Sequence, residues 1–276
     1  MLSRLNQIHT QTSCSEQSTD DICPMCQNTG WHSYYDADGI FWSEECKCGI
    51  RQREIMNNVL RFASIPDAFK NVSLDSFNTD AYTSEESRKR ATLTLKCVNY
   101  WLDNFNDFKS RGIGLYMYSK TKGSGKTRMA VSIANELIHE KGCQVKFCTS
   151  LQILNEIKAT WDNANESESK LLNDLSATEI LIIDDFGTEN SEKSWKNEKF
   201  YQVINNRYIE KKVTIFTSNE ALELLRYDDR ITNRIKECVF QIPFPEESVR
   251  DIIAQDNFRE LVNGLNNSKY EGKRFG

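Results

Sequence analysis

Two groups of residues in this 276-residue chain have the types and spacing to do chemistry. One is Gly123-Ser124-Gly125-Lys126-Thr127-Arg128, preceded by Ser119-Lys120-Thr121-Lys122. Glycines in such a loop let backbone N–H groups turn inward onto phosphate oxygens. Lys126 is then set to meet the β and γ oxygens of a nucleotide, and the Thr127 hydroxyl to hold magnesium. A helix opening near Lys126 adds its positive end. The full pattern GxxxxGK[ST] places glycine at position 120, where this chain has Lys120. The motif therefore departs by one residue, and Gly123 inside the loop is expected to supply the freedom the turn needs. The other group is Cys23-Pro24-Met25-Cys26 and, after nineteen residues, Cys46-Lys47-Cys48. Four thiolates in paired spacing suit a tetrahedral zinc ion with no open coordination position, which predicts a structural site. The opposing reading is reduced cysteines packed as small hydrophobes, and His32 is an alternative fourth ligand.

Further residues fall where a phosphate loop needs them. Ile180-Leu181-Ile182-Ile183-Asp184-Asp185 is an apolar run ending in two acids, about 55 residues beyond the loop. It reads as a buried parallel strand with carboxylates at its C-terminal end, where ligands bind in such sheets. Asp184 is expected to hold magnesium and Asp185 to orient or deprotonate the attacking water. Strict strand alternation would send two adjacent acids to opposite faces. Val213–Thr217 is a second such strand. It leads to Asn219, set either beside a γ-phosphate or as a cap for the next helix. Arg230 and Arg234 share one face of a helix over 229–237. They are fingers for a neighbouring subunit's phosphate, or a solvated face, or, for Arg230, one half of a pair with a nearby Asp. Arg250 is a candidate phosphate sensor in cis.

These residues need a scaffold, and the hydrophobic pattern supplies one. Strands are predicted at Leu115–Tyr118, Val145–Thr149, Ile180–Asp184, Val213–Thr217 and Val239–Ile242. Helices are predicted at Lys126–Glu140, Ser150–Trp161, Lys193–Glu210, Ala221–Leu225, Asp229–Glu237 and Glu247–Gly264. The alternation is that of an α/β domain with a parallel five-stranded sheet. Residues 162 to 170 read as a polar surface connection. Upstream, helices are expected over Arg53–Phe62 and Ser84–Phe108, around a loop carrying Ile65-Pro66 and Val72–Phe77. In the cysteine-rich segment, Asp36, Asp38 and Gly39 supply a turn between Trp31–Tyr35 and Ile40–Trp42. The organisation is therefore a zinc module over 1–52, a helical linker and start of the ATPase domain over 53–110, and the ATPase core over 111–276.

Composition narrows the possibilities. Lys plus Arg is 35 and Asp plus Glu is 40, a net charge of −5, so any nucleic-acid contact must come from a local patch. Apolar runs are too short for a membrane span and the first twenty residues lack an apolar signal core, which leads us to expect a cytoplasmic protein without a membrane partner. Nine cysteines, five of them in the first 48 residues, form no even disulfide framework.

The ordered set GSGKT, ILIIDDFGTE, FYQVINNRY, TIFTSN and DDRITNRI resembles AAA+ helicase loaders of the DnaC/DnaI type, with phage and mobile-element versions especially similar. CPMCQNTGW, CKC and Ser64-Ile65-Pro66-Asp67-Ala68-Phe69 resemble the zinc module and linker of the DnaI-like members. The resemblance covers roughly residues 20 to 255. It implies an AAA+ P-loop NTPase with a reduced C-terminal lid that binds ATP, magnesium and zinc and has weak ATPase activity. It also implies an N-terminal module that grips the replicative hexameric helicase, head-to-tail self-association, and placement of the helicase on single-stranded DNA. By position it makes Arg234 the finger and Arg250 a sensor-2-like arginine. Asp184 and Asp185 become the Walker B pair and Asn219 sensor 1, while Arg207 receives no role. Lys193, Trp195, Lys196 and Lys199 are candidate single-stranded DNA contacts or a solvated helix face. Two other readings stand beside it. One is a nucleotide-switched helicase regulator with little hydrolysis. The other is an IstB-type transposition helper, against which the cysteine module counts.

Overall fold

The computed structural model describes residues 22–161, 167–188 and 194–267. The chain divides into two compact units, Met1–Arg61 and Phe62–Gly276.

In the first unit a tight turn at Cys23–Cys26 leads into a hairpin of β1 (Trp31–Tyr35) and β2 (Phe41–Glu45), with Trp31 opposite Glu45 and Tyr35 opposite Phe41. Asp36 closes the turn from its side chain. Its Oδ1 accepts the N–H groups of Asp38 and Ile40 at 3.0 and 2.9 Å, and its Oδ2 accepts the Trp42 indole at 2.7 Å. Helix α1 (Ile50–Ala63) follows.

The second unit begins with a stretch over residues 64–83 that holds only two single 3-10 turns, Asp67–Phe69 and Thr79–Ala81. Helix α2 (Glu85–Asp103) starts at Ser84, whose hydroxyl accepts the Ser87 N–H as a cap. The single helix expected over Ser84–Phe108 is in fact two, because Asn104 breaks it. Its side chain turns back to the Tyr100 carbonyl at 2.8 Å, and α3 (Phe105–Arg111) resumes in a new direction with Phe105 buried against Trp101. The remainder alternates β3 (Gly114–Tyr118), α4 (Lys126–His139), β4 (Val145–Thr149), α5 (Ser150–Trp161), α6 (Ser167–Ala177), β5 (Ile180–Phe186), α7 (Ser194–Ile209), β6 (Val213–Ser218), α8 (Asp229–Glu237), β7 (Val239–Pro243) and α9 (Val249–Asn267).

The five parallel strands lie in the order β4-β5-β6-β3-β7. Strand β3 sits between β6 and β7, which places the loop after Tyr118 at the C-terminal edge of the sheet, beside the end of β6. The strands follow the expected spans to within about two residues. Two more expectations are corrected. Residues 167–170 are not a connection but open α6, whose Leu172 and Leu175 are buried. The helix expected over Ala221–Leu225 is one 3-10 turn, Leu222–Leu224.

Candidate functional site

The phosphate loop is built from two glycines and a buried lysine. Gly123 (φ +81°) and Gly125 (φ +93°) occupy left-handed backbone, whereas Lys120 does not. The conformation therefore asks for glycine at 123 and 125 and not at 120. Space is tight as well, since a Cβ on Gly123 would lie 2.7 Å from Ser248 Oγ and one on Gly125 3.1 Å from Tyr82 Oη, and those side chains would have to shift. Lys126 is 5% exposed, and its Nζ donates to the Ser119 and Thr121 carbonyls at 3.2 and 3.1 Å and to Ser124 Oγ at 3.2 Å. Burial holds its pKa below the ordinary lysine value, against the opposing pull of Asp185, Glu246 and Asp184.

Asp184 is buried at the end of β5. The Thr127 hydroxyl lies 3.0 and 3.1 Å from its two oxygens, and the Thr217 hydroxyl donates to Oδ1 at 2.5 Å. Burial pushes its pKa above the usual carboxylate range, with the Asp185 charge adding to that and the two hydroxyls opposing it. Thr127 and Asp184 are thus side by side, a hydroxyl and a carboxylate of the hard-oxygen kind that suits magnesium. Asp185 does not obey strand alternation. The pairing of β5 with β6 slips between Ile183 and Phe186, and Asp185 takes φ +53°. This bulge re-aims its side chain, so Asp185 lines the same cavity as Lys126 and Thr127. Asn219 lines it as well, and the following turn is capped by Ala221, so Asn219 is not its cap.

The cavity has a volume of about 850 Å³. Beyond the loop its walls are Phe69, Phe77, Ala81 and Tyr82 from the irregular stretch, and Val249, Ile252 and Ile253 from α9. Apolar walls beside a phosphate cradle suit a nucleoside base. Sequence reading missed these wall residues. The available signal was the run of aromatic residues at 69, 77 and 82 in a segment with no helical period.

The predicted arginines separate. Arg250 lines the cavity. Arg128 lines it also, while its Nη2 donates to the Ser76 carbonyl and hydroxyl at 3.2 and 3.0 Å. Arg234 is not among the cavity residues and lies on α8, its guanidinium 4.4 Å from the Tyr208 ring centre. Arg230 takes the paired alternative, donating to both Asp228 oxygens at 3.0 and 2.9 Å. Arg207, which received no role, is 1% exposed and donates to the carbonyls of Leu175, Ser176, Thr178 and Val213 and to Thr214 Oγ1. It gathers the C-terminal carbonyls of α6 onto β6. Burial lowers its pKa to about 9, which leaves it charged at neutral pH. Of the proposed DNA contacts, Lys193 lies outside the described residues. Trp195 packs edge-on to Trp161 at 4.9 Å, and Lys199 pairs with Glu168 at 2.5 Å.

In the first unit the Sγ atoms of Cys23, Cys26, Cys46 and Cys48 all lie within 4.8 Å of one another. Cys23–Cys46 and Cys26–Cys48 are 3.8 and 3.6 Å apart. Disulfides are about 2.05 Å long. A tetrahedron with metal–sulfur bonds of about 2.3 Å has edges of about 3.8 Å, so the cluster has the size of a four-thiolate metal site. Backbone N–H groups of Cys26 and Met25 point at Cys23 sulfur and bring its pKa down to about 6. His32 is not part of the cluster and faces Glu44 across the hairpin at 3.5 Å.

A family model described as IstB-like ATP binding protein matches residues 31–231. The replicative helicase loader DnaC of Escherichia coli strain K12 is 30% identical over 152 residues, 55% of this chain and 59% of that protein. This chain thus spans less than two thirds of that relative. A crystal structure of the DnaC helicase loader superposes with a TM-score of 0.53 at 24% identity, covering 65% of this chain and 99% of that one. AMPPCP-bound DnaA from Aquifex aeolicus superposes with a TM-score of 0.57 at 17% identity, covering 73% of this chain and 69% of that one. At these identities the two structures bear on the fold alone.

Proposed function

Since the chain belongs to the family of IstB-like ATP binding proteins and carries the AAA+ P-loop fold, we propose that it is an ATP-hydrolysing loader that places a replicative hexameric helicase on single-stranded DNA. The observation that carries this reading is the meeting of Lys126, Thr127 and Asp185 at one cavity, with Asp184 bonded to the Thr127 hydroxyl behind it, in a chain whose relative of known role is a helicase loader.

The chemistry follows from the residues. The base lies between Phe77, Tyr82 and the apolar face of α9. Backbone N–H groups around Gly123 and Gly125 take the phosphates, and Lys126 moves from its carbonyl partners to the β and γ oxygens. Thr127 and Asp184 hold magnesium, which supplies charge neutralisation on the phosphate oxygens. Asp185 orients water and accepts its proton as the new bond to γ-phosphorus forms and the bond to the β-bridging oxygen breaks, giving ADP and phosphate. Asn219 is beside that water and Arg250 steadies the γ-phosphate in cis. Arg234 is away from its own cavity, so as a finger it acts on a neighbouring copy, and turnover depends on self-association. Slow turnover by the free chain is the expected consequence. In the first unit Cys23, Cys26, Cys46 and Cys48 would hold zinc as thiolates, and this module grips the helicase.

A loading assay tests the reading. Helicase from the same host would be offered closed circular single-stranded DNA, with and without this protein and ATP. The proposal expects helicase to be retained on the circle only when both are present, and to be lost with Lys126→Ala. Retention that is indifferent to the protein would contradict it. Membership of the IstB-like family keeps an IstB-type transposition helper as the second reading. That reading predicts ATP-dependent association with a transposase and no effect on the helicase.

A further inference from the structure

The residue that breaks the phosphate-loop pattern, Lys120, sits against a carboxylate that the pattern does not contain. Glu246, in the turn between β7 and α9, accepts the Lys120 N–H at Oε1 (3.1 Å). Its Oε2 accepts the Thr121 N–H and hydroxyl, both at 3.0 Å, and lies 3.1 Å from the Ser119 hydroxyl, whose one proton is shared with the Pro245 carbonyl at 2.9 Å. One side chain thus holds three successive residues at the entrance of the loop. Bonds to an ionised acceptor are stronger than neutral ones. Burial works to raise the Glu246 pKa, but these donors outweigh it and keep the group anionic at neutral pH.

The peptide linking Ser119 to Lys120 has a second partner. A trans peptide points its C=O and N–H in opposite directions. Its N–H goes to Glu246 and its C=O goes to Lys126 Nζ at 3.2 Å. The Thr121 carbonyl, two residues along the same clamped segment, is a further Lys126 acceptor at 3.1 Å. The segment therefore lies between a carboxylate on one side and the catalytic ammonium on the other. The turn that carries Glu246 also meets the far side of the loop, with the Val249 N–H on the Gly123 carbonyl at 3.0 Å. Lys120 needs no left-handed backbone. Its side chain is no obstacle either, because the loop is fixed at this position through its main chain.

We propose that Glu246 is a positioning residue for Lys126, acting through the Ser119–Lys120 peptide, and that this carboxylate clamp makes the missing glycine at position 120 unnecessary. The proposal rests on the reading of this cavity as an ATP site. It differs from that reading in assigning to a residue over a hundred positions downstream the geometry of the lysine that meets the β and γ oxygens.

Binding of fluorescent ATP, ADP and AMP analogues to the full chain with magnesium tests it. Variants would be Glu246→Gln, Ser119→Ala and Lys120→Gly, with circular dichroism to verify the fold. Lys126 meets only the β and γ phosphates. Glu246→Gln should therefore weaken ATP and ADP about tenfold or more and AMP by less than about twofold, one lost charged bond being worth that much. Ser119→Ala, which leaves the carboxylate in place, should shift ATP in the same direction by a smaller factor. Lys120→Gly should leave all three within about threefold of wild type. Three results would each overturn the proposal. They are unchanged ATP affinity in Glu246→Gln, an equal loss for all three nucleotides, which marks a general structural role, or a tenfold gain in Lys120→Gly. Failure of the underlying site reading looks different, because the wild-type protein itself would then bind no nucleotide.

Discussion

In Phe62–Gly276 the interior is a slab of Leu, Ile, Val and Phe side chains on a central sheet, with Leu115, Ile182, Ile215 and Phe216 fully buried. In Met1–Arg61 the buried cluster is Cys23, Cys26 and Cys46, with Cys48 and Ile50 against it. The aromatic residues of that unit line a two-stranded ribbon exposed to solvent, with Tyr35 at 71% and Phe41 at 58% exposure. A lone hairpin is marginal in water. A slab of buried hydrocarbon, by contrast, stabilises by about 25 cal/mol per Å². One unit thus carries its folding energy in its own side chains, whereas on the proposed function the other would draw it from an ion held by its four cysteines. The difference suits a division of labour in which the self-sufficient unit does chemistry and the conditional one does recognition.

The most severe way to break the comparison is to remove the metal. A zinc chelator, or Cys46→Ser, should unfold the hairpin, because structural zinc supplies roughly 10–16 kcal/mol in small domains. Fluorescence of Trp31 and Trp42 should change while the melting of the second unit stays where it was. If both units melted together, the independence claimed here would be wrong.

A smaller but still large effect belongs to Arg207. Arg207→Met leaves the carbonyls of Leu175, Ser176, Thr178 and Val213 without their donor. The expected loss is roughly 3 kcal/mol or more in the urea transition of the second unit, each buried acceptor left unsatisfied costing about 1–3 kcal/mol. The spectroscopic signature of the first unit should not move.

Asp184 separates function from stability within the second unit. Its folded pKa lies above the unfolded carboxylate value, so stability falls as pH rises through that pKa and the buried group ionises. Asp184→Asn should therefore melt at or above the wild-type temperature at neutral pH without ligand. It should lose all of the further stabilisation that magnesium and ATP provide. A variant that melts well below wild type would show that the charge is structural.

The smallest effect is expected at Glu247. Its carboxylate accepts the Thr83 N–H and hydroxyl, both at 2.6 Å, and the Ser84 N–H at 3.2 Å. Burial opposes ionisation, but these bonds bring the pKa down to about 2. The stability it adds is complete above the unfolded value of about 4.3 and disappears as pH falls toward 2. Solvent screening keeps it below about 1 kcal/mol. A flatter stability profile for Glu247→Gln between pH 4.5 and 2 is the expected result.

Much of this architecture was legible because it is written in local patterns. The runs at 180–183 and 213–216 are too apolar to be anything but buried strands, and GSGKT and CPMC carry their own spacing. What escaped is non-local or conformational. Helix α6 was hidden because its first turn is Ser, Glu, Ser and Lys, and its core contacts, Leu171, Leu172 and Leu175, all come after it. The Asp185 bulge defeated the alternation rule, since a single left-handed residue resets the face a strand presents. The apolar cavity wall drew on residues 69, 77, 81 and 82, which no period connects to the loop beside them. Arg207 and Glu246 act on partners that only folding brings near.

The measurement that bears most directly on the loader reading is size-exclusion chromatography with light scattering, on this protein mixed with the replicative helicase of its own host. It would be run with and without ATP and magnesium, and with residues 1–61 removed. The account predicts a stable complex for the full chain that disappears when the cysteine-rich unit is deleted. No complex in any nucleotide state, or a complex that survives the deletion unchanged, would contradict it.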